Sequence, residues 1–454
     1  MERRILVAVF CAAFVLCALV TKPRATSWND VSRLATIDAL VRSRTFALDD
    51  SPLAAKTADK YRFRGHTYSD KPPALALQGA AVAAVLAPFG ITLARRTEPA
   101  IYLITLFTVG LWFALGCAYA FAFQRLLGAP RGPAVLVAAL TGLGTLALPY
   151  ATVLANHVPA GAAGLAGIYH LVRAREGRAG AAALGALFLT LAYAFDAAAV
   201  VFGLAAVVLL WGASARVWAA FAVACVPVVA AQLAYDASVS TGWGPPAINQ
   251  QTWSDPSSRF HRADQSLFPF DSAGGYLRYL AYVVVGAKGL ISYTPLVLLC
   301  GYGFARLWRA AATRGIATAI VVTCAVYFVL LVAFTNDYGA LNYGERRYVD
   351  IFFVLGAGLG PAIAAFQSGA AALAARLAVT WSIVFAMLGV VAPFGEPRGV
   401  SGSVFALQQL ERLAHRAPLQ VVLDAVALAV TIFLVQRFWS SAAVPTPGSG
   451  RSDA

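Results

Sequence analysis

Apolar runs recur along most of the chain and are separated by shorter polar segments. Twelve of these runs are candidates for membrane-spanning helices: residues 5–21, 100–123, 133–148, 158–172, 181–195, 197–211, 218–235, 290–307, 316–334, 351–366, 378–393 and 419–438. A helix needs about 20 predominantly apolar residues to cross a hydrocarbon core about 30 Å thick, and several runs approach this length. The pattern therefore predicts an all-α, polytopic integral membrane protein with about 12 transmembrane helices, folded as a single domain over residues 1–439.

One further apolar stretch decides the topology. In "YSDKPPALALQGAAVAAVLAPFG" (68–90) a polar segment passes into an alanine-rich run at 74–94. If this run lies at the membrane surface, five short arginine-containing loops face the side of Arg3 and Arg4; if it spans the membrane, all five move to the opposite side. Short loops rich in Lys and Arg face the cytoplasm. We therefore predict an interfacial or re-entrant segment in a bacterial cytoplasmic membrane protein whose two termini are cytoplasmic.

This topology places four polar loops together on the outer face. They are residues 22–99, 236–289, 336–348 and 394–418, and the first is long enough to carry amphipathic interfacial helices. Residues 440–454 are rich in Pro, Gly and Ser, which predicts a disordered cytoplasmic tail. Because the polar residues cluster in the outer loops, we expect the functional site there.

Composition agrees with a membrane protein and restricts the possible partners. The 454 residues are 60% hydrophobic and only 12% charged, about half the charged fraction of an average soluble protein. The net charge of +14 would suggest nucleic acid in a soluble chain, but here no basic face stands free of the membrane segments. We therefore expect the lipid bilayer, and no nucleic acid, as a partner. All six cysteines lie in apolar segments, so a disulfide framework is not expected.

The first outer loop begins with "SWNDVSRLATIDALVR" (27–42), in which apolar residues recur at helical spacing after Ser27 or Asn29 as a plausible N-cap. The segment predicts an amphipathic helix lying on the bilayer surface. Asp30 falls in its first turn and Arg33 lies three residues further on. An acidic residue at this position can simply favour the helix dipole. The functional alternative is a carboxylate at the edge of an apolar groove that acts as a general base.

A second candidate region follows in the same loop. "DKYRFRGHTYSDKPP" (59–73) places Tyr68, Asp70 and Lys71 directly before two prolines, with Gly65 suited to a turn. A lysine held at the membrane surface can bind a lipid phosphate. It can equally be a snorkelling anchor at the start of a helix, and these residues alone do not separate the two interpretations.

Three further polar sites face outward in the predicted topology. Asn156 and His157 lie at the outer end of a helix hairpin, and Asp196 lies in a tight outer turn. Arg346 and Arg347 in "YGERRYVD" (343–350) lie on the outer face against the charge rule, and phosphate binding is one reason for such a placement. His66 and His157 with nearby acids could bind a divalent metal, although no HxxH-like spacing supports it, so a metal is left open.

In this order the motifs resemble the GT-C fold membrane glycosyltransferases that use polyprenyl-phosphate sugars, including protein O-mannosyltransferases and lipid A aminoarabinose transferases. Asp30 and Arg33 in "DVSR" match the family's acid and arginine, although Val31 stands where a second acid is usual. "YSDKPP" matches the pattern of an aromatic residue, an acid and Lys-Pro-Pro. "YGERRYVD" is similar to the family's Gly-x-Arg loop, with Arg346 at the matching position. A further acid is usual where this chain has Asn156 and His157.

The resemblance implies an inverting transfer of a sugar from a polyprenyl-phosphate donor to an acceptor on the outer face. Asp30 would be the catalytic base, and a second set of residues would bind the donor phosphate: Lys71, Arg346 and Arg347. A third set would support the site: Arg33, Tyr68, Asp70, Asn156, His157 and Tyr343. No cofactor is expected beyond the lipid-linked donor, with a divalent metal possible. The sugar and the acceptor (protein, glycan or lipid) stay undetermined.

Two other functions remain open at this stage. The chain could be a transporter or flippase of a lipid-linked sugar. Transporters carry ionisable residues within their helices near the membrane midplane, whereas the predicted helices here contain almost none apart from Asp424. It could also be a catalytically inactive GT-C-like subunit, because Val31 and Asn156-His157 depart from the family pattern.

Overall fold

A computed structural model describes residues 1–246, 270, 272–335, 342–394 and 418–441. The larger helices are α1 (Glu2–Val20), α2 (Trp28–Arg42), α3 (Pro73–Leu86), α4 (Thr97–Thr105), α5 (Leu111–Leu126), α6 (Arg131–Leu143), α7 (Ala147–Ala151), α8 (His157–Ala174), α9 (Ala179–Phe195), α10 (Gly203–Leu209), α11 (Ala215–Val239), α12 (Ala273–Val284), α13 (Leu290–Tyr293), α14 (Leu296–Arg309), α15 (Ala311–Phe334), α16 (Val349–Leu355), α17 (Leu359–Ala365), α18 (Gly369–Val391) and α19 (Pro418–Ser441). Within those described residues the one sheet is a hairpin of β1 (Lys60–Phe63) and β2 (His66–Ser69). Most of the predicted fourth outer loop, parts of the second and third, and the tail from 442 lie outside the described residues.

Helix length and composition confirm a multi-pass membrane architecture. Seven helices in the described part of the chain are long and apolar enough to cross a membrane: Glu2–Val20, Thr97–Leu126, Ala215–Val239, Ala311–Ala333, Arg346–Ala365, Gly369–Val391 and Val421–Ser440. The second of these joins α4 and α5 through a π-helical turn at Leu106–Gly110. Four shorter apolar helices accompany them, so the count of twelve spans stays a prediction.

The first loop begins and ends at the same end of the bundle. Glu2, at the start of α1, lies 2.5 Å from Arg125 at the end of α5. At the opposite end, Arg24 after α1 lies 2.6 Å from Glu98 in the first turn of α4. Because α1 and α4–α5 are therefore antiparallel, the chain between them, which contains α2 and α3, starts and finishes at the same end of the bundle. The 14 residues of α3 are also too few to span a bilayer. We call this end, where α1 finishes, the loop end.

Helix α2 differs from the predicted surface helix because both of its faces are covered. Leu34 and Ile37 are fully or almost fully buried, and α2 packs against α3. Its polar face is held by the hairpin, since the Ser32 hydroxyl donates to the Asp59 carbonyl at 2.5 Å and lies 2.6 Å from the Ser69 hydroxyl. The hairpin turn has positive φ at both central residues, Arg64 and Gly65, as a two-residue turn of type I′ requires. The hairpin thus covers α2 and carries the chain directly into Asp70 and Lys71.

Helix α8 lies at the centre of the bundle and is buried along almost its whole length. It packs on α5, α9 and α16. Small residues allow the close approach: a Cβ added at Gly161 would lie 2.6 Å from the Val349 carbonyl oxygen, at the start of α16. The first residue of α8 is His157, so this packing positions His157 at the loop end beside α16.

Candidate active site

A cavity of about 620 Å³ lies at the loop end of the bundle. Its wall combines the first turns of α2 and α8, the segment after β2, the last turns of α11 and α15, and the turn before α16. Among the residues that line it are Asn29, Arg33, Asp70, Lys71, Asn156, His157, Tyr193, Asp196, Gln232, Tyr235, Asp236, Tyr327, Arg346 and Arg347. The structure therefore brings together seven of the ten predicted site residues, and Asp30, Tyr68 and Tyr343 do not line the wall.

Lys71 is held on this wall by two carboxylates. Its ammonium lies 2.8 Å from Asp70 Oδ2 and 3.1 Å from Asp59 Oδ2. The side chain is 14% exposed, so it does not extend freely into solvent as a snorkelling anchor does. The following Pro72 and Pro73 start α3 with Pro at its first position, which fixes the backbone next to the ammonium. Lys71 thus faces the cavity as a positioned charge.

Three arginines share the same cavity. Arg33 is 2% exposed and donates to the Leu154 carbonyl at 3.2 Å and to Asn156 Oδ1. Burial lowers the pKa of Arg33 to about 10, an effect to which nearby Arg346 adds, so the guanidinium still carries its charge at neutral pH. Arg346 donates to Asn342 Oδ1 at 3.3 Å, and Arg347 lies 3.7 Å from Glu345.

Two of these arginines have a buried nitrogen that is not satisfied. Among the described residues, neither Arg33 nor Arg346 forms an ion pair with a carboxylate, and the Nε atoms of both are buried without a hydrogen-bond partner. A buried donor left unpaired costs about 1–3 kcal/mol. Both guanidinium groups thus have hydrogen-bonding capacity left over on the wall of the same cavity, as is typical of arginines that bind an oxyanion.

Asp30, predicted as the catalytic base, lies behind the wall rather than on it. It is 2% exposed, and its Oδ2 accepts hydrogen bonds from the backbone N–H and the hydroxyl of Thr26, both at 2.9 Å. Its own N–H donates to Ser27 Oγ at 3.2 Å, which confirms Ser27 as the N-cap of α2. Burial raises the pKa of Asp30, and the Thr26 hydrogen bonds oppose this. In this position Asp30 fastens the start of α2 and places Asn29 and Arg33 on the wall.

Asp70 is the first-loop carboxylate that does line the cavity. One oxygen is paired with Lys71, and the other, Oδ1, is buried without a hydrogen-bond partner in the described part of the chain. Burial raises the pKa of Asp70, and repulsion from Asp59 adds to the increase while Lys71 opposes it. A carboxylate with a raised pKa and one uncommitted oxygen has the properties of a general base.

A second cluster joins residues that are far apart in sequence. His157 Nδ1 lies 3.1 Å from Asp196 Oδ2 and 3.1 Å from Asp350 Oδ1. The Tyr327 hydroxyl donates to Asp350 Oδ2, and Asn156 Nδ2 donates to Asp196 at 2.7 Å. Burial raises the pKa of Asp196, but its bond with His157 and the backbone N–H of Ala198 outweigh this and lower it overall.

This cluster is also the candidate position for a metal. The ligand atoms of His157, Asp196 and Asp350 all lie within 4.8 Å of one another, and in the described residues this is the group of three that could hold an ion. Imidazole and carboxylate ligands suit zinc or manganese. His66, the other histidine considered as a ligand, instead lies 2.7 Å from Asp49 at the surface and away from the cavity.

The remaining predicted residues have structural contacts. Tyr343 is fully buried, donates its hydroxyl to the Phe385 carbonyl at 2.7 Å and packs edge-on against Tyr293. Tyr68 packs near Tyr61 within the hairpin, with ring centroids 6.0 Å apart. Neither lines the cavity.

Three carboxylates outside the predicted set of site residues lie on or next to the cavity: Asp196 and Asp236 line it, and Asp350 contacts His157. Asp236 begins the predicted second outer loop and Asp350 directly precedes a predicted apolar run, whereas α11 continues through Asp236 and α16 begins before Asp350. Asp196 was treated as a turn residue. The signal that could have identified them is a lone acidic residue at the end of an apolar helix, where burial is costly without a specific partner.

No protein-family model matches the sequence, and no curated protein matches it. The structure is similar to the crystal structure of ArnT from Cupriavidus metallidurans bound to undecaprenyl phosphate, with a TM-score of 0.51 and 16% identity, covering 96% of this chain and 76% of that one. Arabinosyltransferase EmbB from Mycobacterium smegmatis gives a TM-score of 0.48 at 14% identity, over 96% of this chain and 40% of that one. The Archaeoglobus fulgidus oligosaccharyltransferase gives a TM-score of 0.44 at 12% identity, over 97% of this chain and 57% of that one. The likeness to ArnT extends over nearly the whole chain and confirms the predicted GT-C fold.

Proposed function

We propose that this chain is a membrane glycosyltransferase that moves a sugar from a polyprenyl-phosphate donor to an acceptor on the outer face of a bacterial cytoplasmic membrane. The observation that carries the proposal is the set of four cations on one cavity, of which Arg33 is buried and the others half-buried, and of which Arg33 and Arg346 have an unsatisfied Nε. Support also comes from the shared fold, since the ArnT structure contains undecaprenyl phosphate.

The cations bind the donor phosphate in this proposal. Lys71, Arg346 and Arg347 are its main ligands, and Arg33 adds a fourth charge from within α2. When the bond between the anomeric carbon and the phosphate oxygen breaks, negative charge increases on the departing polyprenyl phosphate. Cations fixed in a water-poor cavity stabilise that charge without having to reorganise. The proposed contribution of this group is thus to leaving-group departure as well as to binding.

The proton acceptor in the proposal is Asp70. Its carboxylate takes the proton from the acceptor hydroxyl as the hydroxyl oxygen attacks the anomeric carbon, and polyprenyl phosphate leaves from the opposite face with inversion. Each of Asp30 and Asp70 has one buried oxygen without a hydrogen-bond partner in the described part of the chain, and Asp70 is preferred because it is the one of the two that lines the cavity. Asp30 is assigned to holding the start of α2. A divalent ion at His157, Asp196 and Asp350 would, if bound, add a positive charge to the same wall.

The donor's lipid tail is assigned to the exposed apolar side of α3. Leu77, Val85 and Phe89 are 48%, 68% and 73% exposed, and they lie on or just after the helix that follows Lys71. An interfacial helix with such a face borders the acyl region of the bilayer. The tail would therefore leave the cavity along α3, while the phosphate stays beside Lys71.

The experiment is transfer of a radiolabelled sugar from polyprenyl-phosphate donors, using purified protein with membrane extracts and separated lipid, glycan and protein fractions. We expect wild-type protein to transfer label and Lys71→Gln to lose about 10²–10³ in kcat. Lys56→Gln, which changes an exposed lysine of the same loop, is the matched control and should retain activity.

Two results would contradict the proposal. One is an absence of transfer from every donor by well-folded protein, and proteoliposomes that then moved the donor across the bilayer would identify a transporter. The other is Lys71→Gln protein with wild-type transfer and wild-type donor affinity, because the phosphate would then lie elsewhere.

A further inference from the structure

The last turn of α11 carries a buried carboxylate that the proposed reaction does not use. Asp236 is fully buried, yet it contributes to the cavity wall. Its Oδ1 accepts a hydrogen bond from Gln232 Nε2 at 3.0 Å, one helical turn earlier on the same face. Its Oδ2 is buried and has no hydrogen-bond partner in the described part of the chain. One oxygen of Asp236 is therefore fixed and the other is available.

The position of Asp236 is unfavourable for the stability of the helix. An acidic side chain in a last turn faces the negative end of the helix dipole. No lysine, arginine or histidine of the described residues forms an ion pair with it. A buried carboxylate oxygen that lacks a donor also loses its hydration. Packing alone does not explain these costs, whereas a ligand that donates hydrogen bonds would offset them.

The surroundings are those of a carbohydrate subsite. Tyr193 and Tyr235 line the same cavity, and the hairpin is fastened to this helix end by Tyr61, whose hydroxyl donates to the Val239 carbonyl at 3.0 Å. Small-molecule sites combine aromatic walls with a few positioned polar groups. Aromatic rings can pack against the C–H faces of a sugar, while a carboxylate and an amide form hydrogen bonds with its hydroxyl groups. A phosphate would be repelled by Asp236, so this part of the wall does not suit the donor's anionic group.

We infer that Asp236 and Gln232 bind hydroxyl groups of the transferred sugar and determine which sugar is accepted. The inference rests on the proposed function and adds its sugar subsite. Asp236 Oδ2 accepts a hydrogen bond from a sugar hydroxyl, while Gln232 holds Oδ1 and so fixes the direction of the carboxylate. The cations around Lys71 bind the phosphate of the same donor, and the two groups together span the sugar phosphate.

The decisive variant is Asp236→Asn. Its amide oxygen can keep the hydrogen bond from Gln232, while its NH₂ group replaces the free oxygen and turns an acceptor into a donor. Asp38→Asn is the control, since Asp38 is also buried and accepts from Ser51 Oγ at 2.8 Å, but does not line the cavity. Both variants remove one buried carboxylate. A difference in activity between them is therefore due to the position of Asp236 on the cavity and not to general destabilisation of the protein.

The kinetic test compares the active sugar donor with its singly deoxygenated analogues. We expect at least one analogue to lose about 10-fold or more in kcat/KM with wild-type protein, as for a lost hydrogen bond to a charged group. The ratio of kcat/KM for the full sugar donor to kcat/KM for that analogue should fall to near 1 in Asp236→Asn and stay at its wild-type value in Asp38→Asn. An unchanged ratio in Asp236→Asn would overturn the inference.

A binding test separates this inference from the proposed reaction. Thermal unfolding midpoints are measured with bare polyprenyl phosphate and with the same lipid carrying the sugar. We expect the sugar to add stabilisation to wild-type protein, Asp236→Asn to lose only that addition, and Lys71→Gln to lose the effect of both lipids. Equal shifts from the two lipids with wild-type protein would refute the sugar subsite even if transfer is observed. Sugar-dependent stabilisation without any transfer would support the subsite and contradict the reaction.

Discussion

At the scale of single residues, Asp70 and Asp30 test which first-loop carboxylate takes the proton. We expect Asp70→Asn to lower kcat by about 10²–10⁴, the usual contribution of a general base. Burial raises the pKa of Asp70, so the wild-type rate should fall as the pH drops through a pKa above the ordinary aspartate value. In Asp70→Asn this fall in kcat at low pH, the acidic limb of the pH profile, should be absent. The measurement is kcat against pH, with donor affinity determined separately.

Asp30→Asn is the comparison for that experiment. Because Asp30 binds Thr26 and does not line the cavity, we expect its variant to lower the thermal midpoint while the acidic limb remains. A loss of the limb in Asp30→Asn, with the limb intact in Asp70→Asn, would return the role of base to Asp30.

The same residues indicate how far the sequence could predict the site. Arg33, Asp70 and Lys71 are predicted from short local motifs, and Arg346 is predicted because two outward arginines break the charge rule; all four line the cavity. The grouping of His157 with Asp196 and Asp350 depends on the packing of α8, α9 and α16. Nothing in local periodicity encodes that packing, so these partners could not be assigned before the structure.

At the scale of helices, the contact between α8 and α16 sets the geometry of that cluster. A Cβ at Gly161 would lie 2.6 Å from the Val349 carbonyl oxygen and 2.8 Å from that of Asp350. We expect Gly161→Ala to separate the helices, to destabilise the protein by about 1–3 kcal/mol as overpacking does, and to lower transfer by displacing Asp350 from His157. Thermal unfolding and the transfer assay check this.

The control for Gly161→Ala is Gly301→Ala in α14. A Cβ there would meet nothing within 4 Å, and alanine favours a helix over glycine. Its midpoint should stay the same or rise. If Gly161→Ala behaved like Gly301→Ala, the close helix contact would not control the site.

Helix α2 of the first loop was predicted as a helix but not as a buried one, and the hairpin of the same loop was not predicted. The apolar spacing of "VSRLATIDAL" correctly gave a helix, yet it described one face only. Ser32 on the other face is covered because it pairs with Asp59 and Ser69 from the hairpin, a contact between separate segments. Strands β1 and β2 are only four residues long each. An alternation of polar and apolar residues over so short a length cannot be distinguished from the sequence of a loop.

At the scale of the whole molecule, the antiparallel pair of α1 and α4–α5 brings both borders of the first loop to the loop end. Arg24 and Glu98 join the two borders of the first loop, and the cavity lies beneath it. Arginines between α8 and α9 lie at the other end, where Arg175 comes within 3.7 Å of a Cβ added at Gly315. The positive-inside rule then predicts that the loop end faces outward, and this orientation can be measured directly.

Cysteine labelling in intact cells is that measurement. Ala94 lies in the exposed segment between α3 and α4, and Glu176 lies in the exposed turn between α8 and α9. We expect a membrane-impermeant maleimide to label Ala94→Cys in intact cells, and Glu176→Cys only after the cells are permeabilised. The native cysteines give the background, which is read from wild-type protein. Labelling of Glu176→Cys but not Ala94→Cys in intact cells would invert the topology. The cavity would then face the cytoplasm, and a donor and acceptor on that side would have to be sought.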